Sequence, residues 1–143
     1  MTGDFLERRE DTKMAARAEP STPIILLVED DVAAQGALSK ALERSGYSVR
    51  SAATTSAART ALTRLRPGVV VLSLGVPDED ALQFAARLKV RTDLRIIACS
   101  ARHASIPEQL RGQTAVAEWL SRPFDLDELE ERIAFQLREP TAA

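Results

Sequence analysis

The sequence predicts an α/β fold, a doubly wound five-stranded parallel sheet in the strand order 2-1-3-4-5 with helices on both faces. Strand and helix patterns alternate along residues 23–138, which form one predicted domain. Three of the strand patterns are apolar throughout, as is typical of strands covered by helices on both sides. Right-handed crossovers between parallel strands leave few topologies, and this strand order is the favoured one.

Five short runs have the composition of strands. The first, third and fourth runs, "IILLV", "VVVL" and "RIIAC", are continuous apolar stretches that indicate buried strands. The second, "YSVRSA", mixes apolar and polar residues, which is typical of an edge strand, and the fifth is "VAEWL". The predicted strands are Ile24–Val28, Tyr47–Ala52, Val69–Leu72, Arg95–Cys99 and Val116–Leu120.

Amphipathic helices are predicted after each of these strands. The first covers about residues 31–45 and ends before Gly46, which suits a left-handed C-terminal cap. The second begins near Thr54 and stops before "RPG", the third covers residues 80–90, and a short, weak helical segment surrounds "IPEQL". The last helix covers about residues 126–138. Its inward-facing stripe consists of Leu126, Leu129, Ile133 and Leu137.

Composition restricts the function classes and the cellular location. The 143-residue chain has a net charge of −2, and its basic residues are not clustered into a nucleic-acid or membrane surface. Its single cysteine, Cys99, lies in an apolar strand, which predicts a buried and inert thiol. No run approaches a membrane span, and residues 1–22, a predicted flexible arm, lack a secretory signal, so a cytoplasmic location is expected. Residues 139–143 are predicted to be a disordered tail.

Polar side chains follow four of the five predicted strands. They are Glu29 and Asp30 after the first strand, Ser73 after the third, Ser100 after the fourth and Arg122 after the fifth. Because the carboxyl ends of parallel strands meet at one edge of a sheet, these side chains are expected to lie close together. The sequence therefore predicts a polar cleft at this edge.

Four motifs carry a resemblance to a known family. The stretches "ILLVEDD", "VVVLSLGVPDEDAL", "IIACSA" and "EWLSRPFDLDEL", in this order and at these intervals, resemble the receiver domain of two-component response regulators. The resemblance spans about Ile24 to Leu137, nearly the whole predicted domain. It implies a flavodoxin-like, receiver-like three-layer sandwich.

The resemblance also implies roles for the polar residues. In that family an acidic pair holds Mg²⁺, and an aspartate that ends the third strand accepts a phosphoryl group from a histidine kinase. A serine or threonine and a lysine bind the phosphoryl oxygens, and an aromatic residue in the fifth strand changes rotamer with the state of the switch. The corresponding positions in this chain are Glu29, Asp30, Ser73, Ser100, Arg122 and Trp119.

Two of these positions depart from the family pattern. The phosphoacceptor position is Ser73, whose hydroxyl is a weak nucleophile without an activating base. The site thereby loses an anionic ligand, so Glu29 and Asp30 are expected to hold Mg²⁺ weakly or not at all. The lysine position is Arg122, whose planar fork of donors suits a carboxylate, and its expected partner is Asp30 or Glu29.

The leading hypothesis is a stand-alone, atypical receiver, or pseudo-receiver, that acts as a protein–protein interaction module in two-component or phosphorelay signalling without aspartyl phosphorylation. Only five residues follow Arg138, too few for an output domain. The alternative is a receiver-like switch in which a serine/threonine kinase phosphorylates Ser73. A small enzyme or nucleotide binder is disfavoured, because the first strand–helix turn lacks a glycine-rich phosphate loop and Ser73 lies outside a nucleophile elbow.

The expected partners are signalling proteins, either a histidine kinase or another regulator, with neither nucleic acid nor membrane. Phe135 falls opposite the apolar stripe of the last helix, where it is either an isolated exposed aromatic or a partner anchor. Trp119 is either a packing residue or part of the same partner surface. A homodimer through the face made by the fourth helical segment, the fifth strand and the last helix is a further possibility that the resemblance implies.

Overall fold

The computed structural model describes residues 22–76, 80–88, 94–100 and 115–138, and within them the apolar runs form strands and the amphipathic segments form helices. In chain order these elements are β1 (Ile24–Val28), α1 (Val32–Arg44), β2 (Ser48–Ala52), α2 (Thr55–Leu62), β3 (Val69–Ser73), α3 (Ala81–Leu88), β4 (Arg95–Cys99), β5 (Glu118–Leu120) and α4 (Leu126–Arg138).

The five strands form one parallel sheet in the order β2-β1-β3-β4-β5, which confirms the predicted fold class and strand order. The register aligns the carboxyl ends of the three central strands. Val28 lies opposite Leu72, and Leu72 lies opposite Ala98. Residues that follow these strands therefore emerge at one edge of the sheet.

The two faces of the sheet bury separate apolar clusters, because successive side chains of a strand point to opposite faces. Leu26 and Val28 of β1 pack with residues of α2 and α3, including the fully buried Phe84. Ile25 and Leu27 pack on the other face with residues of α1 and α4. This arrangement makes three layers, helices–sheet–helices, as the sequence predicts.

Side-chain caps fix where the first two helices begin. The Asp31 carboxylate accepts a hydrogen bond from the Ala34 amide at 3.0 Å, and the Thr54 hydroxyl accepts one from the Ala57 amide at the same distance. These bonds satisfy amides that the helix itself leaves without a partner. Helix α1 ends at Arg44 with Ser45 as its C-cap, and Gly46 follows with a φ of 102°, the left-handed conformation predicted for it.

The structure corrects several details of the sequence prediction. Strand β2 begins one residue later than predicted, β3 continues to Ser73, and β5 is reduced to Glu118–Leu120. Leu126 is 40% exposed instead of facing inward, because it is the first residue of α4 and lies at the margin of the packed layer. Gln136 is buried in the stripe that continues from Leu129 and Ile133.

Some predictions fall on residues outside the described part of the chain. These are the arm over residues 1–21, the end of the third helix beyond residue 88, the helical segment around "IPEQL", and the tail over residues 139–143.

Candidate functional site

The polar residues predicted from the strand ends meet at the carboxyl edge of the sheet. Glu29, Ser73 and Ser100 are almost completely buried, with exposed fractions of 1%, 2% and 1%. Main-chain hydrogen bonds hold two of them in place, because the Glu29 amide donates to the carbonyl of Ala52 and the Ser100 amide donates to that of Leu120. The ends of the sheet therefore surround a buried polar group of side chains.

An ion pair crosses this edge between residues that are 93 positions apart in the sequence. The Arg122 guanidinium donates from Nη2 to Oε1 of Glu29 at 2.6 Å. The exposed fractions of the two side chains are 14% and 2%. Of the two acids that the sequence offers to Arg122, the partner is Glu29.

Two further hydrogen bonds reach Glu29, one from the β1–α1 turn and one from α1. Its Oε2 accepts a hydrogen bond from the Asp31 amide at 3.0 Å, and its main-chain carbonyl accepts one from the Gln35 side-chain amide at 2.8 Å. Asp30 is exposed to solvent. Only one carboxylate of the predicted acidic pair is therefore buried in the site.

The two serines of the site accept hydrogen bonds from main-chain amides. Ser100 Oγ accepts from the Arg122 amide at 2.7 Å, a short contact between the end of β4 and the end of β5. Ser73 Oγ accepts from the Gly75 amide at 3.3 Å, within the turn that leaves β3. Both hydroxyl oxygens therefore help to fix the main chain at the carboxyl edge of the sheet.

Two residues that the sequence did not assign to the site surround Arg122. Its guanidinium lies over the Phe124 ring, with Cζ 5.9 Å from the ring centroid. It also reaches the thiol of Cys99, which is fully buried at the end of β4. Burial raises the pKa of the Cys99 thiol to about 12, and the positive charge of Arg122 offsets that rise only in part.

We expect the Cys99 thiol to resist alkylation while the protein is folded. Thiolates are the reactive form, and both the raised pKa and complete burial keep the thiolate population very small at neutral pH. Iodoacetamide labelling, followed by intact-mass analysis, should therefore be slow in buffer and fast in concentrated urea. Equal labelling rates in the two solutions would show that the end of β4 is open to solvent.

A polar network that the hydrophobic pattern of the sequence does not indicate joins the amino end of β4 and strand β5 to α4. Gln136 accepts a hydrogen bond from Arg95 Nη1 at 3.1 Å and donates to Glu118 Oε2 at 2.9 Å. Arg132 lies 3.5 Å from the same Glu118 carboxylate. The buried amide is tolerated because it has both a donor and an acceptor partner. Its position three residues beyond Ile133, on the buried face of α4, is the only signal in the sequence that points to it.

The two residues suggested for a partner surface lie on different sides of the sheet. Trp119 is partly buried against the apolar cluster beneath α2 and α3. Phe135 is 45% exposed on α4, which packs on the opposite face. Their involvement with a partner stays a prediction.

The donor set does not suit the Mg²⁺ that the resemblance implies. Both carboxylate oxygens of Glu29 already accept hydrogen bonds, and the neutral hydroxyl of Ser73 adds no negative charge. Within the described ranges, which omit residues 77–79, 89–93 and 101–114, no three His, Cys, Asp or Glu side chains converge as they would around a metal ion. A magnesium ion needs six oxygen ligands and is usually bound through one or two carboxylates.

Comparison with known proteins identifies relatives of this chain. Residues 25–134 match the family model described as "Response regulator receiver domain". The transcriptional regulatory protein KdpE of Staphylococcus aureus is 33% identical over 109 residues, which cover 76% of this chain and 47% of that protein. The transcriptional regulatory protein BasR of Escherichia coli K12 is 36% identical over 116 residues, covering 80% of this chain and 52% of that protein. The chain therefore spans about half the length of these two relatives.

Solved structures share the fold. A response regulator from Thermotoga maritima superposes with a TM-score of 0.73 at 24% identity, covering 83% of this chain and all of that chain. A two-component response regulator from Clostridium difficile gives a TM-score of 0.75 at 18% identity, covering 82% of this chain and 98% of that one.

Among the residues described, no helix is both long and apolar enough to cross a membrane.

Proposed function

The chain belongs to the response regulator receiver domain family of two-component signal transduction, and from this premise we propose that it acts as an atypical receiver, an interaction module that works without aspartyl phosphorylation. Receiver domains are signalling modules that interact with histidine kinases and other signalling proteins.

The identity of residue 73 is the observation that carries the proposal. The family pattern expects an ionised carboxylate here, and this chain has a serine that is 2% exposed at the end of β3. The serine hydroxyl is neutral at pH 7, and the Gly75 amide donates a hydrogen bond to its oxygen. A donor on that oxygen draws electron density away from it, so the hydroxyl is a poorer nucleophile than a free one.

The pairing of Arg122 with Glu29 supports the same proposal. A buried carboxylate is stable only when a cation or several hydrogen bonds compensate its charge. The 2.6 Å contact with Arg122 supplies that charge from within the chain. The loss of an acid at position 73 and the arginine at position 122 are thus compatible with each other, since together they leave the buried Glu29–Arg122 pair without a net charge.

We expect acetyl phosphate and Mg²⁺ to leave the mass of the intact protein unchanged, because the nucleophilic carboxylate is missing. A receiver of the same family that carries the aspartate serves as the positive control in the same reaction. An added phosphoryl group that is labile in acid would contradict the proposal. An acid-stable phosphoryl group on Ser73 would instead support the alternative of a serine-phosphorylated switch.

Burial of Ser73 weighs against that alternative. A serine/threonine kinase must reach the hydroxyl on an accessible stretch of chain, whereas Ser73 lies in a central strand between β1 and β4. Phosphorylation there would require local unfolding of the sheet edge. The interaction module is therefore the function that we favour.

The proposal places the chain in the cytoplasm, with a histidine kinase or another regulator as partner. Phe135 remains a candidate contact residue, because 45% of it is exposed on α4. A homodimer through the face that includes β5 and α4 stays part of the proposal, and its fourth helical segment lies outside the described residues.

A further inference from the structure

We propose that the Arg122 guanidinium takes the place of a divalent cation at the carboxyl edge of the sheet, so that the parent protein keeps its acidic site closed to Mg²⁺ and Mn²⁺. The inference rests on the proposed function, because it assumes a receiver-type site whose acceptor position is Ser73.

Both carboxylate oxygens of Glu29 already have a hydrogen-bond partner. Its Oε1 is held at 2.6 Å by Arg122 and its Oε2 at 3.0 Å by the Asp31 amide. Its side chain is only 2% exposed, so an incoming ion would also have to lose its own waters. Mg²⁺ dehydrates reluctantly, which makes a buried and already bonded carboxylate a poor first ligand.

Among the residues that the structure describes, the other side-chain oxygens of this edge do not form a group of three or more histidine, cysteine or acidic ligands with Glu29. Asp30, the second acid of the pair, is exposed to solvent. The Asp31 carboxylate caps α1 through the Ala34 amide. Ser73 is neutral and bonded to Gly75, so the buried charges at this edge, within the part of the chain that the structure describes, are one carboxylate and one guanidinium.

Electrostatic repulsion adds a barrier of its own. A divalent ion on Oε1 of Glu29 would lie within a few ångströms of a guanidinium, and like charges at that separation repel strongly in a buried site. The ion could bind only by displacing the Arg122 side chain. That side chain is further fixed by its position over the Phe124 ring.

Arg122 links the ends of strands β1, β4 and β5. Through its guanidinium Arg122 holds Glu29 at the end of β1, and through its main-chain amide it holds Ser100 Oγ at the end of β4 at 2.7 Å. It follows β5 in the chain. The main-chain amide of Arg122 therefore helps to fix the hydroxyl of Ser100, the switch-like residue.

A Mn²⁺ titration tests this inference, with free Mn²⁺ measured by electron paramagnetic resonance. The site is opened in the double variant Ser73→Asp with Arg122→Lys, which restores an acid and replaces the planar fork by a point charge. We expect this variant to bind Mn²⁺ at least about tenfold more tightly than the parent, because it gains an anionic ligand and loses the guanidinium that holds Oε1 of Glu29. The matched control is Ser73→Asp with Arg132→Lys, which changes an arginine that pairs with Glu118 and leaves Arg122 in place.

The control should bind Mn²⁺ more weakly than the Arg122→Lys double variant. Equal affinity of the two double variants would overturn the inference, and so would parent binding as tight as that of the Arg122→Lys double variant. Failure of every folded variant to bind, with folding checked by circular dichroism, would overturn it as well. If the double variant does not fold, Arg122→Gln alone serves: it should bind Mn²⁺ more tightly than the parent, because it removes the guanidinium charge from Glu29, and an affinity equal to the parent's would overturn the inference. A parent that binds Mn²⁺ through Glu29 but stays unphosphorylated would refute this inference alone, whereas a phosphorylated parent would refute the proposed function.

Discussion

Replacing Arg122 with alanine is expected to lower the free energy of unfolding by about 2–3 kcal/mol, because the change leaves a buried carboxylate without its cation. Glu29 keeps the Asp31 amide as a donor, but its side chain is 2% exposed and water cannot replace the guanidinium fully. Urea unfolding followed by the fluorescence of Trp119, the only tryptophan, measures the loss.

Arg132→Ala is the matched control for this experiment. Arg132 also pairs with a glutamate, Glu118, but at 3.5 Å and with 49% of its side chain exposed. Exposed pairs of this kind contribute at most about 1 kcal/mol. Adding Glu29→Gln to Arg122→Ala removes the uncompensated charge and should recover part of the lost stability. Equal losses for Arg122→Ala and Arg132→Ala would contradict a buried ion pair at the sheet edge.

Replacing Ser73 with aspartate is expected to lower the free energy of unfolding by about 2–4 kcal/mol in metal-free buffer at pH 7. The new carboxylate would be placed at a position that is 2% exposed, at the same sheet edge as Glu29, whose guanidinium partner is already engaged. Both the loss of hydration and the repulsion between like charges oppose its ionisation.

Ser73→Asn separates the effect of charge from the effect of size, because asparagine has nearly the shape of aspartate without its charge. The aspartate variant should be the less stable of the two at pH 7. A carboxyl group whose pKa is raised in the folded state is protonated there at acidic pH, so the difference between the variants should shrink as the pH falls towards 4. Identical stability of the two variants at pH 7 would show that residue 73 is not buried beside other charge.

The sequence alone determined the strand order and the edge at which the polar residues gather. These features depend on local patterns, namely the length of the apolar runs, the helix start near Thr54, and the glycine after α1. Each of these acts over a few residues, and parallel topology then places the strand ends together. The departures from the family pattern at positions 73 and 122 could also be recognised from the sequence, because the apolar runs fix where each strand ends.

Only the tertiary structure decided which groups of the site are bonded to one another. Glu29 and Asp30 are adjacent acids, and the sequence could not rank them as partners of an arginine 93 positions away. The choice follows from the direction in which each side chain leaves the end of β1, which is set by the pleat and by the packing around it.

The burial of Gln136 and the exposure of Leu126 were decided in the same way. Polarity alone placed Leu126 in the core and left Gln136 out, whereas the structure exposes the leucine and buries the amide. Gln136 is stable there because Arg95 and Glu118, 41 and 18 residues away, satisfy its amide. A buried polar group depends on partners that the fold assembles, and hydrophobic periodicity does not contain that information.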